Sequence, residues 1–176
     1  MVEPDLLARL DELERGSFAG PAWRHVRPEY PPLSGEGARV VGGRWNPPEC
    51  FPTLYLGLSV DVVAAEFHRH LTRQGLRRQD ALPRMLYEYD VRLGQVLDLR
   101  APEILQSLAL HHDLARADVQ RCHAIGDAAH YLGVEGILAP SAAAPGDVLI
   151  VFLDRQQPSS GLEVIEGTRW EAPSAE

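Results

Sequence analysis

Hydrophobic residues recur along the chain with a helical period in three segments. Leucines at helical spacing predict a first helix, with Pro4 near its start and Gly16 past its end. A second helix is expected to begin after Ser59, a favourable N-cap residue, and to end near Gly75. Residues 118–133 give a third, clear helical pattern that stops at a glycine. These segments predict three helices spread over the whole chain.

Short apolar segments between the helices predict strands. The alternating segment 85–93 is followed by another at 95–99, so Gly94 is predicted to be the turn between two strands. Residues 28–53 are rich in Pro and Gly and predict a long loop, whereas 101–117 contain only a weak helical pattern. Four further strands are predicted at 22–26, 53–57, 136–142 and 147–153.

The mixed order of helices and strands favours an α+β fold over a regular βαβ series. We expect a single compact domain with a mixed β-sheet core and flanking helices. Its 176 residues are enough to bury a core without disulfides or metals. The interpretation divides the chain into an N-terminal helical segment (1–20), a main domain (21–155) and a polar C-terminal tail (156–176). A short edge strand in the tail is placed at 162–165.

Composition excludes several classes of function. The net charge of −8 argues against direct nucleic-acid binding, which needs a basic face. All 17 basic residues are arginines, which excludes a Schiff-base lysine and a lysine-containing phosphate loop. No apolar run reaches the length of a membrane span, and the first residues lack the pattern of a signal peptide. The sequence therefore predicts a cytoplasmic protein without a membrane segment.

The cysteines and histidines show no metal-ligand spacing. Cys50 and Cys122 lie far apart in the sequence, and a disulfide between them is not expected in a reducing compartment. His68 and His70 would point apart on a helix, since side chains two residues apart do not face each other. We predict no metal site and no cofactor.

Paired glycines precede Arg44, Trp45 and Asn46. Glycine lets a backbone approach a ligand closely, and arginine grips phosphate with two parallel hydrogen bonds. The tryptophan would stack on a flat ring or fill the core. By itself this motif is weak, and an ordinary turn beside a core tryptophan is the more common outcome.

Four other side chains are candidates for chemistry. Glu66 lies at the border of an apolar helical stripe, where most carboxylates are simply solvated. Ser141 ends a buried strand, a common place for site residues, although turn serines are more frequent. Arg24 lies within a strand and is either exposed at an edge or directed to a ligand. Tyr55 alternates with leucines, which predicts that it faces the opposite side of the sheet from them.

Taken together and in order, these segments resemble the RES domain family, named for an arginine, a glutamate and a serine. The resemblance covers about residues 23–153 and is carried by a strand arginine, "GGRWN", "TLYLGLS", "AAEFHRH" and "GDAAHYLGVEGILAPSAAAPGDVLIVFL". Five segments in the family's order are far more specific than any one of them.

The resemblance implies a fold similar to the ADP-ribosyltransferase toxins and an NAD-degrading toxin of a type II toxin–antitoxin pair. It implies cleavage of the nicotinamide–ribose bond by phosphorolysis or hydrolysis, with inorganic phosphate as a possible co-substrate, and an oligomeric complex with an Xre-type antitoxin. The implied catalytic residues are Glu66, Arg24 and Ser141. The implied substrate-binding residues are Arg44, Tyr55, Trp45 and Asn46.

Some alternatives stay open at this point. Either Arg24 or Arg44 is the arginine of the family name. An ADP-ribosyltransferase with another acceptor, or a non-catalytic module that binds a nucleotide or an antitoxin, would share the pocket. The sequence also departs from the family pattern, because Glu49 stands where the family often has glycine. A negative charge there would weaken pyrophosphate binding if it points to the pocket.

Overall fold

The computed structural model describes residues 3–172. The helices are α1 (Pro4–Asp11), α2 (Glu36–Val41), α3 (Val60–Gln74), α4 (Arg78–Ala81), α5 (Pro102–Ser107) and α6 (Val119–Tyr131). The strands are β1 (Arg15–Val26), β2 (Thr53–Gly57), β3 (Arg84–Asp98), β4 (Gly136–Pro140), β5 (Asp147–Phe152) and β6 (Gly161–Trp170).

The strands form one mixed sheet that closes on itself. β1 pairs antiparallel with both β2 and β3, so the pairings β1-β2-β5-β4-β3 return to β1. Among the strands of residues 3–172, only β3 and β4 pair in parallel, and β6 extends the sheet beside the first half of β3. The α+β fold with a mixed sheet and flanking helices is therefore confirmed.

Alternation along the strands divides the core between the two faces of the sheet. Leu54 and Leu56 belong to the cluster that fills the inner face, together with the buried Tyr89. Tyr55, between the two leucines, packs on the outer face with α1 and α6, as its alternation predicts. A third cluster places Phe67 of α3 against the outer side of β1.

The predicted helix ends agree with the observed caps. The Ser59 hydroxyl accepts a hydrogen bond from Val62 N, and Gly75 closes α3 in the left-handed conformation. Asp118 caps α6 by accepting from Gln120 N at 2.9 Å. These ends are decided by local hydrogen bonds, which is why the sequence was sufficient to locate them.

The prediction of two strands separated by a turn at Gly94 is wrong. β3 runs without a break from Arg84 to Asp98 because β1 pairs along almost its whole length. The backbone N–H of Gly94 donates to the side chain of Glu135 rather than to a turn partner. Long-range pairing therefore overrides the local glycine signal.

The element boundaries also differ from the three predicted segments. β1 begins at Arg15 and crosses the division predicted at residue 20. β6 occupies residues 161–170 of the segment predicted as a polar tail and is longer than the short edge strand expected there. Its polar character reflects an outer strand with mostly exposed side chains. The predicted loop at 28–53 contains the short helix α2.

Candidate active site

Glu66 and Ser141, 75 residues apart in sequence, meet between α3 and the loop after β4. The Ser141 hydroxyl donates to Glu66 Oε1 at 2.6 Å, and the backbone N–H of Ala142 donates to the same oxygen at 3.2 Å. Within residues 3–172, Oε2 of Glu66 has no hydrogen-bond partner. One oxygen therefore orients the carboxylate, and the other is available for a ligand.

The loop that carries Ser141 is held in place by its own backbone and by α3. Ser141 N donates to the carbonyl of Gly146 at 2.8 Å, and Ala143 N donates to the Ser141 hydroxyl at 3.0 Å. Gly146 has a φ of 128°, and a Cβ there would lie 2.6 Å from a methyl of Val62. The loop thus packs directly on the first turns of the helix that carries Glu66.

Tyr55 organises the turn that contains Arg44. Its hydroxyl accepts from Trp45 N at 2.9 Å and donates to Asn46 Oδ1 at 2.7 Å. The Asn46 amide in turn donates to the Ala38 carbonyl at 2.7 Å. Burial raises the pKa of Tyr55, which keeps the phenol neutral and able to donate and accept at once.

The glycines of this turn are required by close packing. Gly42 has a φ of 76°, and a Cβ on Gly43 would overlap the Tyr55 hydroxyl. From the other side, a Cβ on Gly126 of α6 would overlap the Trp45 carbonyl oxygen. His123, also on α6, has Nε2 2.7 Å from the Gly43 carbonyl oxygen. The backbone that precedes Arg44 is therefore clamped between β2 and α6.

Arg44 projects from the clamped turn into a cavity that it shares with Arg69 and Arg73 of α3. Its guanidinium contacts the thiol of Cys122, while Nη1 is buried with no hydrogen-bond partner in the described part of the chain. A buried cationic nitrogen without a partner is costly unless a ligand satisfies it. This arrangement of guanidinium groups is suited to binding an anion.

Arg24 lies in different surroundings. Its Nη1 donates to the Pro32 carbonyl at 3.2 Å, and the Tyr89 hydroxyl donates to the same carbonyl at 2.7 Å. Burial lowers the pKa of Arg24, and Tyr89 partly offsets this effect. The contacts of Arg24 are thus with the segment after β1, not with the Glu66–Ser141 pair.

The structure groups the seven predicted site residues into three sets. Glu66 and Ser141 are hydrogen-bonded, Arg44, Trp45 and Asn46 form the turn that Tyr55 of β2 holds, and Arg24 stands apart. Trp45 and Asn46, 1% and 0% exposed, direct their side chains into the protein and not into the cavity. Sequence reasoning missed His123, Gly126, Arg69 and Arg73. The glycine inside α6 was a usable signal, because an interior helical glycine often marks a close approach.

Comparison with known proteins identifies the family of this chain. The RES domain model matches residues 21–174. The chain belongs to the RES domain family. It is 32% identical over 160 residues to the NAD(+) phosphorylases MbcT of Mycobacterium bovis and Mycobacterium tuberculosis, covering 89% of this chain and 86% of each relative.

A solved structure agrees with this assignment. The RES fold described above superposes on a chain in the crystal structure of the M. tuberculosis MbcT–MbcA toxin–antitoxin complex with a TM-score of 0.86. The two chains are 28% identical, and the match covers 97% of this chain and 94% of that one. The similarity to ADP-ribosyltransferase toxins stays a prediction.

Three further features of this RES chain concern metal clusters, cysteines and membrane-spanning helices. Across residues 3–172, no cluster of three His, Cys, Asp or Glu side chains is arranged to hold a metal ion. Cys50 is exposed, Cys122 is buried, and both are free thiols. None of the helices in the described chain combines the length and apolarity needed to cross a membrane.

Proposed function

We propose that this protein cleaves the nicotinamide–ribose bond of NAD, with inorganic phosphate as the acceptor, and acts as the toxin of a toxin–antitoxin pair. The 32% identity to NAD(+) phosphorylases supports the reaction. The observation that carries the proposal for the site is the hydrogen bond between Ser141 and Glu66. It joins two residues whose types and order match the family name.

We propose that Glu66 stabilises the positive charge of the transition state. As the C1–N bond to nicotinamide breaks, positive charge develops on the ribose, as in glycoside hydrolysis. A carboxylate held at one oxygen by Ser141 and Ala142 stabilises this charge with its other oxygen. Nicotinamide leaves as a neutral base, and a phosphate oxygen forms the new bond to C1. The products are nicotinamide and ADP-ribose 1-phosphate.

The remaining predicted site residues divide into binding and positioning roles. We assign Arg44 and Arg24 to phosphate groups of the two substrates, NAD and inorganic phosphate, since guanidinium groups bind phosphate with two parallel hydrogen bonds. Tyr55 and Asn46 position Arg44 by holding its turn, and the buried Trp45 anchors that turn in the core. Tyr55 is thus assigned a positioning role.

An enzyme that destroys NAD needs an inhibitor in its own cell. The match to a chain in a toxin–antitoxin complex supports a small antitoxin as the partner, in an oligomeric assembly. The net charge of −8 favours a partner that presents basic residues. We place the protein in the cytoplasm, where the NAD pool lies. We expect the antitoxin gene to lie next to the gene of this protein. Co-expression of the two should relieve growth arrest, and arrest that persists would contradict the pairing.

The reaction is tested by incubating the purified protein with NAD, with and without phosphate, and weighing the products by mass spectrometry. Phosphorolysis predicts nicotinamide release that depends on phosphate and an ADP-ribose product heavier by one phosphate. Phosphate-independent release with plain ADP-ribose would indicate hydrolysis. A chain that binds NAD without releasing nicotinamide would be a binding module, and the proposal would be wrong.

A further inference from the structure

Three arginines line one cavity between α3 and the segment that leads into α6. The cavity has a volume of about 450 Å³ and is bordered by Arg44, Arg69 and Arg73, with Thr72 and Ala115 beside them. This volume lies within the usual range of ligand pockets. Arg44 and Arg69 are half-buried, and Arg73 is exposed at the rim. The small alanine leaves the guanidinium groups as the main polar feature.

No carboxylate of residues 3–172 forms an ion pair with any of these three arginines. The nearby acidic groups have other partners. Glu66 accepts from Ser141 and Ala142, and Asp118 accepts from Gln120 N at the start of α6. Among the other arginines whose side-chain contacts are seen in the structure, most form an ion pair with a carboxylate, for example Arg77 with Asp80 and Arg92 with Glu163. Seven other arginines of residues 3–172 also lack a carboxylate partner, but the cavity brings three such arginines together in a chain of net charge −8.

The cavity is coupled to Glu66 through the geometry of α3. Arg69 and Arg73 follow Glu66 by three and seven residues, which places all three on one stripe of the helix. At a rise of 1.5 Å per residue, they lie about 4.5 Å and about 10 Å along the axis from the carboxylate. A phosphate group held by these arginines would therefore lie within one to two helical turns of the reacting bond.

We propose that Arg69 and Arg73, with Arg44, form a binding subsite for a phosphate group of the substrates. The inference rests on the proposed NAD phosphorolysis and extends it to two residues with no assigned role. The phosphate group has two sources, the pyrophosphate of NAD and the inorganic phosphate that attacks the ribose. Both are anions that guanidinium groups bind with charge-assisted hydrogen bonds.

Steady-state kinetics of Arg69→Gln and Arg73→Gln distinguish the two sources. Each substitution removes one cation and its hydrogen bonds, and we expect the affected KM to rise about tenfold or more, with a smaller change in kcat. A rise confined to the KM of phosphate identifies the co-substrate. A rise confined to the KM of NAD identifies the pyrophosphate, and a rise in both means that the two groups share the subsite.

Arg92→Gln is the matched control, because it makes the same charge change at an exposed ion pair between Arg92 of β3 and Glu163 of β6. Its KM values should stay within about twofold of wild type. The subsite proposal is overturned if Arg69→Gln and Arg73→Gln both melt normally and behave like this control.

Calorimetric titration tests the subsite proposal independently of the proposed NAD phosphorolysis. Pyrophosphate and inorganic phosphate are titrated into the wild-type protein and the Arg69→Gln/Arg73→Gln double variant, without NAD. Anion binding that the double variant loses supports the subsite, even if the wild-type protein releases no nicotinamide. A protein that neither turns over NAD nor binds either anion contradicts both proposals.

Discussion

Glu66 and Glu135 are both hydrogen-bonded to a serine far away in the sequence, yet the two carboxylates are held in opposite ways. Glu135 is fully buried and uses both oxygens. Oε2 accepts from Gly94 N and Gln95 N at 2.7 and 2.8 Å, and Oε1 accepts from Gln157 N and the Ser160 hydroxyl. Glu66 is half-buried, and both of its donors go to Oε1.

Glu135 is therefore a structural carboxylate, whereas Glu66 has an oxygen that is available to a ligand. Glu135 ties the start of β4 to β3 and to the segment before β6, and its hydrogen bonds are saturated. Burial acts to raise the pKa of Glu135, but hydrogen bonds from Gln157, Ser160 and the β3 backbone outweigh it and lower the pKa. Glu66 keeps one oxygen for an outside partner. The role of a carboxylate–serine pair therefore depends on whether the remaining acceptor positions of the carboxylate are occupied.

Glu135→Gln should have the largest effect, and the effect should be on stability. However the amide is turned, its NH₂ group faces at least one backbone N–H, so buried donors lose their acceptor. We expect the free energy of unfolding to fall by about 4 kcal/mol. The melting temperature should fall by roughly 8–16 °C. Urea and thermal unfolding measure this, and a change under about 1 kcal/mol would show that the network is dispensable.

Glu66→Gln should have the next largest effect, and the effect should be on catalysis. The amide oxygen can still accept from Ser141 and Ala142, so we expect the melting temperature to stay within about 2 °C. Loss of the charge should slow nicotinamide release about a hundredfold, or about 3 kcal/mol, while NAD binding changes little. Glu163→Gln, an exposed carboxylate on β6, is the matched control. Normal turnover by Glu66→Gln would remove Glu66 from the mechanism.

Ser141→Ala and Ser160→Ala test the two serines by the same small change. Ser141→Ala removes one hydrogen bond that orients Glu66, and nicotinamide release should fall about tenfold with little loss of stability. Ser160→Ala removes a donor from the saturated site, and stability should fall by about 1–2 kcal/mol with unchanged kcat. Parallel assays of turnover and unfolding compare them. An equal loss of activity in both variants would contradict the distinction between a catalytic Glu66 and a structural Glu135.

The change of unfolding free energy with pH in the acid range should be the smallest effect. The pKa of Glu135 is lower in the folded protein than its ordinary value of 4.5, so its contribution is complete above that pH. It is lost as the pH falls below 4.5 through the folded pKa. The difference in unfolding free energy between wild type and Glu135→Gln should therefore shrink in acid. A difference that stays constant through this range would contradict the lowered pKa.

Local chemistry was readable from the sequence wherever neighbours along the chain decide the structure. The Ser59 cap, the glycine end of α3 and the opposite facing of Tyr55 all follow from short-range hydrogen bonds or from alternation. The same local logic failed at Gly94, because pairing with β1 carries β3 through a glycine that by itself predicts a turn. The outer strand β6 was underestimated because an exposed strand reads as a polar tail.

Glu49 shows how the two kinds of information combine. The sequence marked it as a departure from a family glycine, and the structure gives it a φ of 59°, the left-handed region that favours glycine. Its side chain is exposed. The departure therefore coincides with a backbone position where glycine is the unstrained residue.

The sequence by itself determined the residue types of the candidate site and the α+β class, since these depend on local pattern and on motifs in order. Only the tertiary structure decided which oxygen of Glu66 is occupied, that Trp45 is buried, and that Arg69 and Arg73 share a cavity with Arg44. These facts depend on contacts between segments far apart in the chain. Side-chain type constrains such contacts only weakly, because packing and hydrogen-bond saturation are properties of the assembled core.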